Sequence, residues 1–295
     1  MRLIPQGQYL PPKRFDVIIL ILLSVQRCVL SMVDLPGYEE PKEPPLTAAL
    51  SGADPLAHRP WELPRRPWVM AMRWSDLLFL HWPLDPDALR SWIPPGLELD
   101  TFDGAAWLGV VPFRMSGVRP RCVPPLPGLS SFAELNLRTY VTTGGKPGVW
   151  FFSLDAASRF AVRAARRFFH LPYYDADMRL SHTGETIRYE SERRHRDASQ
   201  ARFVGSYGPT GSVCRSTTGS IDAWLTERYC LYAADGEQQI YRGEIHHEPW
   251  PLQPAEADVQ TNTLAEELGV SLPTEKPLLH FSRTLDVVAW SLERV

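Results

Sequence analysis

LDPDALRSWIPPGLELDTFDGAAWLGVVPFRM, spanning Leu84–Met115, carries the clearest local structural signals in this 295-residue sequence. Asp85 is placed to cap a short helix, and Pro86 takes the first helical position, where a missing N–H costs nothing. The Pro-Pro-Gly at 94–96 ends this helix. LELDTF and AAWLGVVPF flank Asp103-Gly104, a dipeptide typical of two-residue hairpin turns. The stretch therefore predicts a capped helix, a stop and a tight β-hairpin.

The chain beyond this stretch consists mainly of strand patterns joined by glycine turns. FAELNLRTYV at 132–141 alternates strictly, and Gly144-Gly145 turns it into the apolar run VWFFSLDA. Short helices are predicted at 158–169, after Ser220, and near 263–268 before Gly269. Many strands with few helices predict a mostly antiparallel α+β protein, with the sheet closed or sandwiched. We expect one domain over 68–295.

Composition excludes several classes of function. A net charge of −3, with mixed basic and acidic residues, leaves no electrostatic footprint for nucleic acid. The four cysteines are far apart, which suggests neither a disulfide framework nor a zinc site. Nucleotide-binding glycine motifs and the common hydrolase motifs are missing from the sequence, so we expect no cofactor and no metal. A reduced cytoplasmic protein is the expectation.

The first 67 residues differ from the rest. Residues 1–31 contain the apolar run VIILILL after Lys13-Arg14, which is too short for a membrane span and lacks a clear cleavage site. A signal or anchor remains an alternative, but we favour a true translation start at Met32, and we expect no stable membrane insertion. Residues 32–67 are rich in proline and charge, and are predicted to form a surface arm.

The alternating strand carries the best candidate site. Glu134, Asn136 and Arg138 share one face, which lines a cavity if that face points inward and is a solvated surface otherwise. Arg138 would bind a carboxylate, while Glu134 would hold Arg138 or act as a base. Further ligand-binding candidates are Tyr173, Tyr174 and His246.

Several of these candidates have structural alternatives. The two tyrosines can simply pack a loop. His246 and His247 point to opposite faces of a regular strand, so at most one of them enters a pocket. His280 and Arg283, in the closing strand, lack a third partner for a metal site. Arg228 is expected to pair with Glu227 or a nearby acid.

The sequence resembles the YqjF-like family of uncharacterised bacterial proteins. The matching segments are Leu84–Met115, FAELNLRTYV, HLPYY, LTERYCLY, YRGEIHHEPWPLQPAEA and HFSRTLDVVAW. This family is more remotely similar to acetoacetate decarboxylase, which implies a cone-shaped, mostly antiparallel β-barrel enclosing a pocket. The resemblance also leaves homo-oligomerisation open.

The decarboxylase resemblance does not extend to its chemistry. Those enzymes use a lysine with a lowered pKa to form a Schiff base. The corresponding segment here, 153–178, contains four arginines and no lysine, and arginine remains protonated. Only Lys13, Lys42, Lys146 and Lys276 are present, and Lys146 lies in a predicted turn. We therefore expect a barrel that binds a small carboxylate, with acid–base lyase or hydrolase chemistry but without Schiff-base decarboxylation. The alternative is a non-catalytic ligand-binding or scaffold protein.

Overall fold

The computed structural model describes residues 56–295, which form one sheet of thirteen strands with a few short helices. The strands are Met70–Leu84 (β1), Glu98–Leu99 (β2), Ala106–Pro120 (β3), Phe132–Thr143 (β4), Lys146–Ala156 (β5), Tyr173–Thr183 (β6), Thr186–Arg193 (β7), Arg202–Pro209 (β8), Cys230–Ala234 (β9), Ile240–His247 (β10), Gln253–Asn262 (β11), Leu278–Ala289 (β12) and Glu293–Arg294 (β13). The helices are Pro86–Arg90 (α1), Arg159–Phe168 (α2), Ile221–Thr226 (α3) and a 3₁₀ helix at Leu264–Leu268. The predicted mostly antiparallel α+β class is confirmed.

In the part of the chain that the structure describes, no helix is long and apolar enough to span a membrane. The expectations for residues 1–31, and for the arm up to residue 55, lie outside the described residues.

Strand pairing closes the sheet on itself twice. One barrel has nine strands, in the order β1-β3-β4-β5-β6-β7-β8-β11-β12 and back to β1. A second barrel has seven strands, β1-β3-β4-β5-β9-β10-β12, because β5 also pairs with β9 and β12 also pairs with β10. The two barrels share β1, β3, β4, β5 and β12, so opposite faces of these strands line different interiors. The predicted barrel is therefore a pair of barrels with a common wall.

The nine-strand barrel encloses the main hydrophobic core. Its interior is filled by fully buried apolar and aromatic side chains, including Leu78, Leu80, Leu108, Val110, Leu135, Leu137, Tyr189, Phe203 and Phe281. At roughly 25 cal/mol per Å² of apolar surface, burial of this kind is the main favourable contribution to folding. This barrel is a packed core.

For Leu84–Met115, the predicted helix and the predicted turn are confirmed. The Asp85 carboxylate accepts a hydrogen bond from the Asp87 amide at the start of α1. Asp103 and Gly104 both have positive φ, as a type I′ turn requires, and Phe102 bridges to Ala105. The extended hairpin is wrong, because β2 pairs with β4 while β3 runs between β1 and β4. The long-range partner β4 takes the hydrogen bonds that a local hairpin would have used.

The other predicted elements are confirmed. Ser158 and Ser220 cap α2 and α3 through their hydroxyl groups. The segment near 263–268 forms the 3₁₀ helix, which ends at Gly269 in the left-handed conformation. Helix α3 packs Leu225, which is fully buried, against Tyr140 and Val149 at one end of the seven-strand barrel.

The described part of the arm, residues 56–67, lies against the outside of β10. Arg59 is buried and its Nη1 donates to the Ile245 carbonyl at 2.7 Å. Trp61 Nε1 donates to the Glu244 carboxylate at 2.8 Å. This end of the predicted arm is therefore packed on the barrel.

Candidate functional site

The polar face of β4 points into the seven-strand barrel. Glu134, Asn136 and Arg138 stand opposite Phe113, Val111 and Gly109 of β3, while the residues between them face the nine-strand core. Glu134 and Asn136 are almost wholly buried, at 1% and 4% exposure. The inward alternative for this face is the one that the structure has.

Arg138 is a cation inside this barrel with no carboxylate partner among residues 56–295. Its guanidinium carbon lies 5.1 Å from the centroid of the Phe79 ring and 5.6 Å from that of Tyr140. Nη2 donates to the Tyr140 hydroxyl at 3.2 Å and to the Leu225 carbonyl at 3.4 Å. Nε is buried without a hydrogen-bond partner in the described chain. A guanidinium with an unpaired N–H and without a carboxylate partner is suited to bind an anion.

His81 lies beside Arg138 and is held in one tautomer. Its Nε2 is 2.6 Å from the Tyr140 hydroxyl, which itself donates to the Leu225 carbonyl at 2.8 Å. Nε2 must therefore carry the proton, and Nδ1 is left as a bare, buried acceptor. Burial holds the pKa of His81 well below its usual value, and Arg138 adds to this effect, so the ring is neutral.

His280 completes this group from β12. It stands directly opposite Phe79 in the β1–β12 register. Its Nε2 is 2.9 Å from the Asp222 carboxylate of α3, and its Nδ1 is buried and unpaired within the described residues. Burial lowers the pKa of His280 and outweighs the opposite effect of Asp222. Sequence reasoning missed His81 and Tyr140 and set His280 aside. The available signal was period-2 alternation, in β4 for Tyr140 and in β1 and β12 for the two histidines.

Glu134 lies further along the same wall, away from Arg138. The Tyr173 hydroxyl donates to its Oε2 at 2.8 Å. Burial raises the pKa of Glu134 to about 8, against a smaller lowering by Tyr173. At neutral pH the carboxyl group is therefore protonated and is an acid. Of the two roles expected for Glu134, holding Arg138 is wrong, because Glu134 accepts from Tyr173 and Arg138 donates to Tyr140 and Leu225.

Asn136 stands between Glu134 and Arg138 on the strand. Its amide oxygen is buried without a hydrogen-bond partner in the described chain. An unpaired buried amide of this kind costs roughly 1–3 kcal/mol, so a ligand that pairs with it is favoured.

Two of the predicted site residues lie elsewhere. Tyr174 faces the nine-strand barrel, where the Arg193 guanidinium carbon is 4.3 Å from its ring centroid. His246 lies on the outside of β10, stacked on His58 of the arm at 5.6 Å. His247 is the one that points inward, since it stands opposite Val287 and contacts Trp250. The two histidines do lie on opposite faces of β10, as predicted, but His247 and not the predicted ligand-binding His246 faces the barrel interior.

An open cavity of about 350 Å³ lies beside α3, outside this group of side chains. Its lining residues are Asp100, Thr142, Pro147, Trp224, Glu227 and Arg228. Arg228 is buried and pairs with Asp100 at 2.6 Å, whereas Glu227 accepts hydrogen bonds from Tyr229 and from the Trp250 amide. The acid expected to pair with Arg228 is therefore Asp100. The same ring of Tyr140 that Arg138 contacts lies 4.7 Å from the Arg228 guanidinium carbon, so the cavity borders the site.

The described lysines lie outside both barrels. Lys146 donates to the buried Glu244 carboxylate at 2.8 Å, beside Trp61 of the arm, and Lys276 is exposed in a loop. Lys146 is thus ion-paired rather than freely solvated. Neither amine reaches Arg138, Asn136 or Glu134.

Sequence comparison identifies the family. The model of DUF2071, an uncharacterized conserved protein family, matches residues 71–286. The uncharacterized protein YqjF of Bacillus subtilis (strain 168) is 46% identical over 227 residues, which cover 77% of this chain and 93% of YqjF. The chain belongs to the DUF2071 family. The YqjF-like resemblance is therefore confirmed.

Solved structures show that this DUF2071 chain has the acetoacetate decarboxylase fold. The enduracididine biosynthesis enzyme MppR, complexed with the condensation product of pyruvate and imidazole 4-carboxaldehyde, matches with a TM-score of 0.55 at 14% identity, covering 78% of this chain and 90% of MppR. Acetoacetate decarboxylase from Legionella pneumophila matches with a TM-score of 0.52 at 13% identity, covering 84% of this chain and 98% of that enzyme. At such low identity these similarities establish the fold alone.

Proposed function

We propose that this DUF2071 protein binds a small organic carboxylate inside the seven-strand barrel, with Arg138 holding the carboxylate. The observation that carries the proposal is the inward guanidinium of Arg138, which has aromatic and hydroxyl neighbours but no carboxylate partner among residues 56–295. A half-buried arginine without a carboxylate partner gains a charge-assisted hydrogen bond when it binds an acid.

The neighbouring side chains favour a ligand with further polar atoms. The Asn136 amide oxygen and the Nδ1 atoms of His81 and His280 are buried acceptors without partners in the described chain. They would accept hydrogen bonds from a hydroxyl group or a hydrated carbonyl on the ligand. Glu134, with its pKa raised to about 8, would donate one. In this proposal Arg138 and Asn136 bind the ligand and Glu134 is an acid.

The structural neighbours suggest which acids to test first. MppR has been solved in complex with pyruvate, with a TM-score of 0.54, and the other neighbour is an acetoacetate decarboxylase. We therefore select pyruvate and acetoacetate as probes. The proposal excludes an imine with either acid, because the described lysines lie outside the barrels.

Ligand-observed NMR and calorimetry with pyruvate and acetoacetate test the proposal. We expect binding to the wild type and a loss of at least about tenfold in affinity in Arg138→Gln, since a charge-assisted hydrogen bond contributes roughly 1.5–3 kcal/mol. Arg188→Gln is the matched control, because Arg188 is a half-exposed strand arginine on the outer surface. Equal affinity of the Arg138 and Arg188 variants would overturn the assignment of Arg138.

Reduction with borohydride in the presence of either acid tests the imine separately. We expect the intact mass of the protein to stay unchanged. A covalent adduct on Lys146 or Lys276 would contradict the exclusion of an imine and leave the binding result as it stands.

A further inference from the structure

We propose that His280, oriented by Asp222, is the general base of this site and removes a proton from the carbon next to the carbonyl of a bound 2-oxo acid. This inference rests on the proposed function, since Arg138 must first hold the acid. It assigns a reaction class, enolisation, to the proposed binding site.

The hydrogen bond between His280 and Asp222 determines which nitrogen is the base. A carboxylate can only accept, so the 2.9 Å contact places the proton of the neutral ring on Nε2. The lone pair is therefore on Nδ1, which is buried and makes no hydrogen bond to the described residues. A histidine whose second nitrogen is held by a carboxylate is oriented and its protonated form is stabilised.

The position of His280 places this base beside the proposed carboxylate site. The Phe79 ring is the common neighbour: the Arg138 guanidinium carbon lies 5.1 Å from its centroid, and His280 is its direct partner in the sheet register. His81 stacks on the same ring at 5.6 Å. Arg138 and His280 are therefore both neighbours of Phe79 on the wall of the seven-strand barrel, and the proposal places a small 2-oxo acid between them.

The proposed step conserves atoms and electrons. The lone pair of His280 Nδ1 forms a bond to the proton on the methyl carbon of pyruvate. The electrons of the broken C–H bond form a carbon–carbon double bond, and the carbonyl electron pair moves onto its oxygen to give the enolate. Return of a proton from Nδ1 to the same carbon regenerates pyruvate and the neutral ring. In D₂O, exchange of the Nδ1 proton with solvent before its return places a deuteron on the methyl carbon.

Several groups set the charge state of His280. Asp222 faces it from α3, and Phe79 and His81 face it from β1. Ser282, buried and unpaired within the described chain, is the next side chain on the same face of β12. The neighbouring His81 is neutral as well: burial lowers its pKa, and Arg138, His280 and Arg228 lower it further. Because burial lowers the pKa of His280, the ring is neutral and able to accept a proton at pH 7.

The test is proton NMR of the methyl signal of pyruvate in D₂O with the full-length protein. We expect the wild type to catalyse loss of this signal, and His280→Gln to lower the rate about 100-fold, the usual scale for a general base. His280→Gln should still bind pyruvate. His182→Gln is the matched control, since His182 also sits 2.9 Å from a carboxylate, that of Asp76, but lies on the exposed end of β6.

Asp222→Asn tests the positioning role. We expect a slower exchange, and a pH–rate profile whose midpoint shifts to lower pH, because Asp222 raises the pKa of His280. A purely structural role would leave this midpoint in place. Asp222→Glu is expected to restore part of the rate.

Three other outcomes would contradict the assignment of His280 or the proposed function. Binding of pyruvate by the wild type without exchange would overturn the assignment of His280 and leave the proposed function standing. Loss of exchange in His81→Gln, with full exchange in His280→Gln, would also overturn it, in favour of His81. Absence of binding would overturn both proposals.

Discussion

The nine-strand and seven-strand barrels are lined by opposite faces of the same five strands, yet their interiors differ in character. On β4, Leu135 and Leu137 point into the nine-strand core, while Asn136 and Arg138 point into the seven-strand barrel. The nine-strand interior is filled mainly by apolar and aromatic side chains, whereas the seven-strand interior holds Arg138 without a carboxylate partner among residues 56–295. The comparison teaches that one strand can contribute simultaneously to stability and to a binding site.

The nine-strand barrel also encloses a charged cluster, in which the cation is paired with carboxylates. Arg193 pairs with Asp155 and with Glu267, each at 2.7 Å, and the side chains of Arg193 and Asp155 are 1% exposed. Here the cation already has its carboxylates, in contrast to Arg138. We interpret this cluster as a structural link between β5, β7 and the 3₁₀ helix.

The largest expected effect comes from breaking that link. Arg193→Met leaves a buried Asp155 without its partner, so we expect the free energy of unfolding to fall by about 3–5 kcal/mol in urea denaturation. Arg194→Met, which removes an exposed ion pair with Asp177, should cost less than about 1 kcal/mol. A stable Arg193→Met protein that fails to bind pyruvate would show that the nine-strand barrel takes part in binding, which contradicts the division of roles between the two barrels.

Neighbouring residues on β4 give the second prediction. Leu137→Ala opens a cavity in the nine-strand core and should lower the free energy of unfolding by about 2–5 kcal/mol, with pyruvate affinity unchanged. Arg138→Ala should do the reverse: lose the affinity and cost about 1 kcal/mol for its hydrogen bonds. Denaturation and calorimetry on the same two proteins check both statements. Equal loss of affinity in both variants would show that the two interiors are coupled.

The third prediction concerns the pH dependence of stability. The folded state keeps the Glu134 proton up to about pH 8, whereas the unfolded chain releases it near its ordinary value of 4.5. The unfolded state thus binds fewer protons in this window, and stability falls as pH rises from about 4.5 to 8. We expect Glu134→Gln to lose less stability than the wild type over this range, by up to a few kcal/mol. Denaturation at pH 5 and pH 8 measures the difference, with exposed Glu190→Gln as the control.

Asp155 contributes to the same trend from the other barrel. Its pKa is raised to about 6 by burial, so its share of the stability is lost between about pH 4 and pH 6. It is present in both the wild type and Glu134→Gln, and its contribution cancels in their comparison. A Glu134→Gln curve parallel to that of the wild type would contradict the raised pKa of Glu134.

The smallest expected effect is at Gly109. A Cβ atom there would lie 3.0 Å from the His81 ring and 3.3 Å from Arg138 Cγ. We expect Gly109→Ala to displace one of these side chains, to weaken pyruvate binding severalfold and to cost about 1 kcal/mol of stability. Titration calorimetry measures the affinity. Unchanged binding would show that Arg138 does not need its present position.

Prediction from sequence succeeded where the determinants are local. The caps at Asp85 and Ser220, the helix predicted from Ser158 and the turn at Asp103-Gly104 depend on a few adjacent residues and form as expected. It failed where a distant strand competes. The hairpin after Leu99 is replaced by pairing of β2 with β4, and a local pattern contains no information about that partner.

The same distinction applies to the candidate site. Alternation in FAELNLRTYV correctly placed Glu134, Asn136 and Arg138 on one face. It gave no means to find His81 and His280, which arrive from β1 and β12, far away in the sequence. Sequence reasoning also selected His246 rather than His247, because only the pairing of β10 with β12 determines which of the two faces inward.

The sequence by itself determined the elements, the alternation of each strand and the absence of a lysine from 153–178, since these follow from residue identity and from a side-chain period of two. Only the tertiary structure decided that the polar face of β4 is enclosed, that Arg138 lacks a carboxylate partner in the described chain and that two histidines join it. Those facts depend on long-range strand pairings that close the sheet twice. Ring closure determines which face is buried, and burial then determines charge and protonation.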